Sequence, residues 1–126
     1  MIIGLGVDIV EIDRMRRLLE MGRDRVVARL FTAEEARYAF ARAEPAIHFA
    51  ARIAAKEATY KALAGNDLAR AVGWKEIEVC SRHDGAPYLI LHGRAHQRAT
   101  ELGVERTLVS LTHSKTAAVG MVVLEK

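Results

Sequence analysis

Three residues of this sequence have the side chains and the spacing for chemistry on a phosphate group. Asp8 interrupts an apolar run that begins at Met1, and a carboxylate there is costly to bury unless a metal ion or a basic side chain accompanies it. Glu57 and Lys61 are four residues apart in an alanine-rich segment, so they share one face of a helix. The simpler interpretations are a loop cap for Asp8 and an ordinary surface ion pair for the other two.

Taken together, the two carboxylates predict a site for a divalent cation. Carboxylates on different elements can hold one Mg²⁺, which prefers oxygen ligands and usually keeps waters and ligand phosphates. A lysine one helical turn from one carboxylate can then balance phosphate charge. This combination favours phosphate chemistry over thiol or acyl chemistry.

Two further segments carry weaker signals. Residues 110–114 (SLTHS) place His113 among hydroxyl side chains at a predicted strand end. Residues 85–87 (GAP) form a predicted hairpin turn. A single histidine in such a place is more often structural than catalytic, so neither segment indicates a function by itself.

The elements that must position these residues follow the order β-α-α-α-β-β-α-β-β. Strands are predicted over 2–10, 74–80, 87–92, 106–112 and 117–124, and helices over 13–21, 32–42, 45–64 and 93–102, with further helical turns over 24–30.

Capping residues and small residues refine this prediction. Asp13 is the predicted N-cap of the first helix and Gly22 its end, and Thr32 with Glu35 forms a capping box for the second. The helix that starts at Pro45 is rich in alanine, and small side chains let another backbone approach closely. We therefore predict an α+β fold, a single domain over residues 1–126, with the sheet packed against this long central helix.

Composition limits the possible classes of protein. The chain has 126 residues, 51% hydrophobic and 28% charged, which fits a globular domain and excludes a disordered one. No apolar run approaches the roughly 20 residues that span a membrane. A single cysteine, Cys80, suits a reducing compartment, so we expect a cytoplasmic protein.

Basic residues are concentrated near the N-terminus. The formal net charge is +3, and six arginines lie between Arg14 and Arg29. The guanidinium group matches phosphates and carboxylates, so this cluster predicts an acidic partner or an anionic ligand. The simpler interpretation is a solvated helix face.

Five motifs in this order carry a family resemblance. They are GVDIVEIDR at 6–14, FTAEE at 31–35, RIAAKEATYKA at 52–62, GAP at 85–87 and SLTHS at 110–114. With them the sequence resembles holo-[acyl-carrier-protein] synthases, the small single-domain branch of the 4′-phosphopantetheinyl transferase superfamily. One departure from the family follows the motif at 52–62, where the family usually has an earlier glycine but here Leu63 and Ala64 precede Gly65. We therefore expect the loop over 66–72 to close over the cofactor differently.

The resemblance implies a 4′-phosphopantetheinyl transferase-like fold and a reaction. Such enzymes move 4′-phosphopantetheine from coenzyme A to a serine of apo acyl carrier protein in fatty acid biosynthesis and release adenosine 3′,5′-bisphosphate. By similarity, Asp8 and Glu57 are catalytic and bind Mg²⁺, and Lys61 is catalytic and contacts a phosphate. The resemblance further implies a coenzyme A site formed by Lys61, Gly85, Pro87 and His113.

The resemblance also implies partners. Carrier proteins are acidic, so Arg14, with Arg17 and Arg25, is expected to dock one of their helices. Members of this branch form homotrimers with active sites at subunit interfaces, and no nucleic acid or membrane is expected. The acceptor of the serine proton stays open between a metal-bound water, Glu57 and an acidic side chain of a neighbouring subunit.

Three alternatives remain at this stage. One is a non-catalytic basic module that binds nucleic acid or an acidic partner, although no aromatic residue lies between Arg14 and Arg29. Another is a thiol hydrolase that uses Cys80 with His83 or His113. The third is a carrier-binding protein that has lost catalysis, which the intact acidic pair and lysine argue against.

Overall fold

The computed structural model describes residues 1–126 and contains five strands and five α-helices. In chain order these are β1 (Ile2–Glu11), α1 (Ile12–Leu30), α2 (Ala33–Phe40), α3 (Pro45–Leu63), α4 (Asp67–Ala71), a 3₁₀ turn (Trp74–Glu76), β2 (Ile77–Ser81), β3 (Pro87–Leu91), α5 (Gly93–Leu102), β4 (Arg106–His113) and β5 (Ala117–Glu125). The predicted α+β fold class is confirmed.

The strands form two antiparallel sheets. The larger sheet has the order β1-β5-β4, and β2 pairs with β3 in a separate hairpin. Asp8 of β1 lies opposite Gly120 of β5, and Gly120 lies opposite Leu111 of β4. Residues directly opposite each other point to the same face of a sheet, so this register places Asp8 on the face that packs against α3.

Helix α3 packs unusually close to the larger sheet. A Cβ atom on Gly6 would lie 1.8 Å from the Ala58 carbonyl oxygen, and one on Gly120 would lie 2.6 Å from the Ala55 nitrogen. Only glycine fits at such a distance, and the alanines of α3 are small enough to allow it. The predicted central helix is therefore confirmed, and its small side chains allow the close approach of Gly6. This contact brings Asp8 beside Glu57.

Several predicted boundaries need correction. Helix α1 begins at Ile12 with Glu11 in the N-cap position and no side-chain cap, so the prediction of Asp13 as N-cap is wrong. Asp13 lies in the first turn, where its negative charge interacts favourably with the positive end of the helix dipole. The predicted break at Gly22 is a kink inside α1, because this residue has non-helical backbone angles.

The segment after α3 contains structure that was not predicted. Residues 66–72 were expected to be a loop, but the side chain of Asn66 accepts a hydrogen bond from the Ala69 nitrogen and caps α4. Trp74 begins a 3₁₀ turn, so β2 starts only at Ile77.

The capping box at Thr32 and Glu35 is confirmed. No helix combines the length and the apolar character needed to cross a membrane.

Candidate active site

Asp8 is the buried carboxylate of the site. Its side chain is 15% exposed, and its Oδ1 atom accepts a hydrogen bond from Lys61 Nζ at 3.2 Å. Its Oδ2 atom is buried and has no hydrogen-bond partner while Glu57 is ionised. A buried carboxylate oxygen without a partner is costly, so the geometry around Asp8 is complete only with a further positively charged or donating group.

Glu57 of α3 lies against Asp8 with like charge. The hydrogen bond to Asp8, burial and the Asp8 charge together raise the pKa of Glu57 to about 7. Burial alone would raise the pKa of Asp8, but hydrogen bonds from Glu57, the Ile9 backbone and Lys61 outweigh burial and lower it. At neutral pH the two carboxyl groups therefore share one proton a large part of the time.

This pair fits a Mg²⁺ ion. A divalent cation would partner the buried Oδ2 atom of Asp8 and remove the repulsion that keeps Glu57 protonated. No cluster of three or more His, Cys, Asp and Glu side chains is present, so the protein offers two ligands. Mg²⁺ is commonly bound by one or two carboxylates together with waters and substrate phosphates.

Lys61 completes this group. Its Nζ atom donates to Asp8 and to the Val7 carbonyl oxygen at 3.1 Å, while its side chain is 55% exposed. It forms no ion pair with Glu57, so the interpretation of Glu57 and Lys61 as an ordinary surface pair is wrong. Both side chains line a cavity of about 370 Å³, together with Tyr60 and Trp74. Lys56 and Arg70 also border it, and Asp8 lies against Glu57 without bordering it. We call this the acidic cavity, after Glu57.

The other predicted coenzyme A residues lie elsewhere. Gly85, Pro87 and His113 line a second cavity of about 150 Å³ with Arg52 and His48. None of Asp8, Glu57 and Lys61 borders it. We call this the cationic cavity. The structure therefore divides the predicted site residues between two places in one chain.

The two cavities lie on opposite sides of α3. Residues Glu57 and Lys61 border the acidic cavity, and His48 and Arg52 border the cationic cavity. With 3.6 residues per turn, the two sets of residues are centred about half a turn apart around the helix. A ligand bound in one cavity would have to pass around α3 to reach the other.

The sheet register gives a distance between the two groups. Asp8 and Leu111 are separated by two strand spacings, about 10 Å, and His113 lies two residues further along β4. The Cα atoms of Asp8 and His113 are therefore about 12 Å apart.

Arg52 is the residue that the sequence interpretation missed. It is 2% exposed, its guanidinium group lies 4.2 Å from the centre of the Tyr38 ring, and one of its terminal nitrogens donates to Ser81 Oγ at 3.2 Å. Its Nε atom is buried without a partner. The available sequence signal was an arginine inside an alanine-rich helix, at the start of the motif at 52–62.

Positive charge accumulates around Arg52. Burial, Arg52, Arg42 and His113 all lower the pKa of His48. The pKa of Tyr38 is lowered, chiefly by a hydrogen bond from Arg42. An anion in the cationic cavity would offset this repulsion.

The predicted docking arginines are free to bind. Arg14, Arg17 and Arg25 are exposed on α1 and form no salt bridge, whereas Arg16 pairs with Asp13 and Glu44. Arg14 also borders an apolar cleft of about 240 Å³ that ends at Glu57. A partner bound along this part of α1 would lie next to the carboxylate pair.

The thiol alternative finds no support. Burial is the largest cause that raises the pKa of Cys80, and the nearby Glu78 charge acts in the same direction. Both favour the protonated thiol, which is a poor nucleophile. His113 borders the cationic cavity, and Cys80 does not.

Comparison with known proteins decides the family. The sequence model of the 4′-phosphopantetheinyl transferase superfamily matches residues 4–120. The chain belongs to this superfamily. A holo-[acyl-carrier-protein] synthase of Geobacter sulfurreducens is 46% identical over 126 residues, which cover 100% of this chain and 99% of that protein.

Solved structures of the superfamily agree in fold. The holo-[acyl-carrier-protein] synthase of Neisseria meningitidis matches with a TM-score of 0.86 and 27% identity over 100% of both chains. That of Bacillus anthracis, solved in complex with coenzyme A (3′,5′-ADP), matches with a TM-score of 0.78 and 33% identity over 99% of this chain and 97% of the other. The predicted family and fold are confirmed, and the chain is a phosphopantetheinyl transferase, so the non-catalytic binding module is wrong.

Proposed function

We propose that this chain transfers the 4′-phosphopantetheine group of coenzyme A to a serine of apo acyl carrier protein. The observation that carries the proposal is the Asp8–Glu57 carboxylate pair, which has an unpartnered buried oxygen and lies beside the exposed Lys61 ammonium group. The relative of Bacillus anthracis was solved with coenzyme A (3′,5′-ADP), and this supports coenzyme A as the donor.

In this reaction the serine oxygen bonds to the β-phosphorus of coenzyme A. The bond between that phosphorus and the oxygen of adenosine 3′,5′-bisphosphate breaks, and the serine proton is released. Mg²⁺ held by Asp8 and Glu57 would supply Lewis-acid stabilisation of the charge that develops on the phosphate oxygens. Lys61 lies one helical turn from Glu57 and beside Asp8, where its ammonium group would contact the same oxygens.

The cationic cavity takes another anionic part of the same nucleotide. Arg52 offers a buried N–H without a partner, and Pro87, Gly85 and His113 form the other walls. Because the two cavities lie on opposite sides of α3, we propose that each working site combines the acidic cavity of one copy with the cationic cavity of another. A homotrimer with sites at its interfaces satisfies this requirement.

One face of the larger sheet supports this assembly. The face that points away from α3 carries large apolar side chains that are between 44% and 63% exposed. They are Leu5, Val7, Ile9, Leu108 and Met121. Contiguous exposed apolar surface of this kind marks an interaction site in a folded protein. We call it the apolar sheet face and propose that it packs against other copies of this chain.

Helix α1 provides the surface for the carrier protein. The unpaired Arg14, Arg17 and Arg25 attract an acidic helix, and Arg14 lies on the same cleft as Glu57. Opposite charge acts mainly on the rate of association and weakens with salt. We further propose that the enzyme serves fatty acid biosynthesis in the cytoplasm, which agrees with its one free cysteine.

Intact-protein mass spectrometry tests the proposed reaction. An apo acyl carrier protein is incubated with the chain, coenzyme A and Mg²⁺, and a parallel sample contains a chelator. We expect the carrier to gain the mass of one phosphopantetheinyl group only in the sample with free Mg²⁺. If a carrier protein of fatty acid synthesis keeps its mass, the proposal is contradicted. An equal gain in carrier mass with chelator would contradict the role of Mg²⁺.

A further inference from the structure

Lys56 is a fully buried lysine next to Glu57 in the chain. Its side chain is 1% exposed, and Nζ donates to Glu35 Oε1 at 2.8 Å, to the Trp74 carbonyl oxygen at 2.8 Å and to the Ile77 carbonyl oxygen at 2.6 Å. An ammonium group has three donors, and all three are used. A lysine is almost never buried without such pairing.

Glu35 extends this group of hydrogen bonds to other elements. Its side chain is fully buried, and Oε1 also accepts from the Thr32 nitrogen at 2.8 Å. Its Oε2 atom accepts from the Val79 nitrogen at 2.9 Å. We call Lys56, Glu35 and the two carbonyl groups of Trp74 and Ile77 the Lys56 network. It joins α2 and α3 to the 3₁₀ turn and to the start of β2.

The Lys56 network holds one wall of the acidic cavity. Trp74 and Ile77 border that cavity together with Glu57 and Lys61, and so does part of Lys56. Trp74 also borders the cleft that runs from Arg14 to Glu57. The same segment therefore shapes the space on both sides of Glu57, and its backbone is attached to α3 through the Lys56 ammonium group.

Stability alone does not account for a buried pair of this kind. Well-packed apolar side chains of similar volume often replace a buried ion pair without loss of stability. Apolar side chains cannot, however, donate hydrogen bonds to the carbonyl groups of Trp74 and Ile77. What the pair supplies and its apolar substitute lacks is a fixed position for these two residues.

We propose that Lys56 is a positioning residue of the transfer reaction, which fixes the Trp74–Ile77 wall against Glu57 and thereby sets the fit of coenzyme A in the acidic cavity. This inference rests on the proposed function for the ligand of the cavity. The role of Lys56 is indirect, because its ammonium group is buried and all its donors are used within the protein.

The double variant Lys56→Met with Glu35→Leu tests the proposal. Both residues are replaced because a single change would leave an unpaired buried charge and could prevent folding. Trp74 is the only tryptophan, so acrylamide quenching of its fluorescence reports the wall in the free protein. We expect cooperative thermal unfolding, quenching that increases at least about twofold, and a KM for coenzyme A that rises about tenfold while kcat changes less than about threefold.

The matched control removes an exposed ion pair from α2, the helix that carries Glu35. Glu34 and Arg37 of α2 form a salt bridge with both side chains exposed, and Glu34→Ala with Arg37→Ala should leave quenching and KM at wild-type values. Glu35→Gln is a second variant, which keeps the side-chain size. If the double variant does not unfold cooperatively, we expect Glu35→Gln to shift quenching and KM in the same directions by smaller amounts.

Two results would overturn the proposal. One is wild-type quenching and KM in a folded variant of the Lys56 network. The other is a changed KM with unchanged quenching, since the wall would then not be the route of the effect. The quenching measurement needs no substrate, so a wild-type protein that fails to transfer contradicts the proposed function and leaves the positional part of this inference intact.

Discussion

The acidic and cationic cavities differ in which charge they leave uncompensated. Glu57 borders the acidic cavity and has a raised pKa because Asp8 lies against it, and Asp8 has a buried oxygen without a partner while both carboxylates are ionised. The cationic cavity holds a buried guanidinium group with an unpartnered N–H. The acidic cavity lacks a cation, and the cationic cavity lacks an anion. A nucleotide with a metal-bound pyrophosphate at one end and a further phosphate at the other would satisfy both.

The difference also teaches how one chain can carry an incomplete site. Helix α3 supplies Glu57 and Lys61 on one side and Arg52 on the other, so the helix that positions both groups also separates them. Within one copy, neither cavity contains the full set of predicted residues. A cyclic assembly brings different surfaces of two copies together without requiring either cavity to move.

The largest expected effect comes from the acidic cavity. Asp8→Ala and Glu57→Ala should each lower kcat at least about a thousandfold, because each removes a proposed ligand of the Mg²⁺ that would offset the charge developing on the phosphate oxygens. The measurement is the rate of carrier modification at saturating Mg²⁺. Glu105→Ala is a matched control, since Glu105 is an exposed carboxylate just before β4 that forms no salt bridge and borders neither cavity. A variant of Asp8 or Glu57 with full activity would remove that residue from the site.

The apolar sheet face should have the next largest effect. Val7→Glu places a charge in the middle of this face, and its desolvation in an interface is costly. We expect sedimentation to show monomers and activity to fall about a hundredfold, because the two cavities no longer meet. Ile90→Glu makes the same change at an exposed position of the hairpin β2–β3 and should leave the assembly intact. A fully active Val7→Glu monomer would refute the division of the site between copies.

The docking arginines should affect the rate of association. Arg14→Glu is expected to lower kcat/KM for the carrier about tenfold at low salt and to reduce its salt dependence, because opposite charge steers the encounter. Lys126→Glu changes the net charge equally at the far end of β1 and β5 and serves as the control. Equal kcat/KM and equal salt dependence in Arg14→Glu and the wild type would place the carrier elsewhere.

The smallest expected effect is on stability as a function of pH. The folded protein raises the pKa of Glu57 to about 7 from its ordinary value of 4.5, so between these values the folded state binds more protons than the unfolded state. Stability without metal should therefore fall as the pH rises from about 4.5 to 7. Differential scanning calorimetry in chelator should show this fall in the wild type and a smaller one in Glu57→Gln. Added Mg²⁺ should raise Tm at pH 8 more than at pH 5.

Much of the fold could be predicted because its signals are local. The alternation of apolar residues and the capping box at Thr32 depend on residues close in the chain, and the structure agrees with both. Asp13 failed as an N-cap because β1 runs directly into α1 and leaves no separate capping turn. Helix α4 was missed because five residues are too few for a visible hydrophobic period.

The candidate site was harder to predict from sequence. Asp8, Glu57 and Lys61 have types and spacing that indicate chemistry, and the structure brings these three together. Arg52 shows no such pattern, since its significance depends on burial and on an unpartnered Nε atom. The distance between the two cavities depends on strand order and on the sides of α3, which are long-range properties that no local pattern encodes.

Mixing two inactive variants tests the central claim most directly. Asp8→Ala removes the carboxylate that lies against Glu57 beside the acidic cavity and keeps the cationic cavity. Arg52→Leu removes the guanidinium group of the cationic cavity and keeps the acidic cavity. If each site combines two copies, subunits exchanged in equal amounts should give about a quarter of the sites both intact cavities, with activity to match. If both cavities of one copy form one site, every site in the mixture carries a defect. Activity no higher than that of the separate variants would then contradict the account.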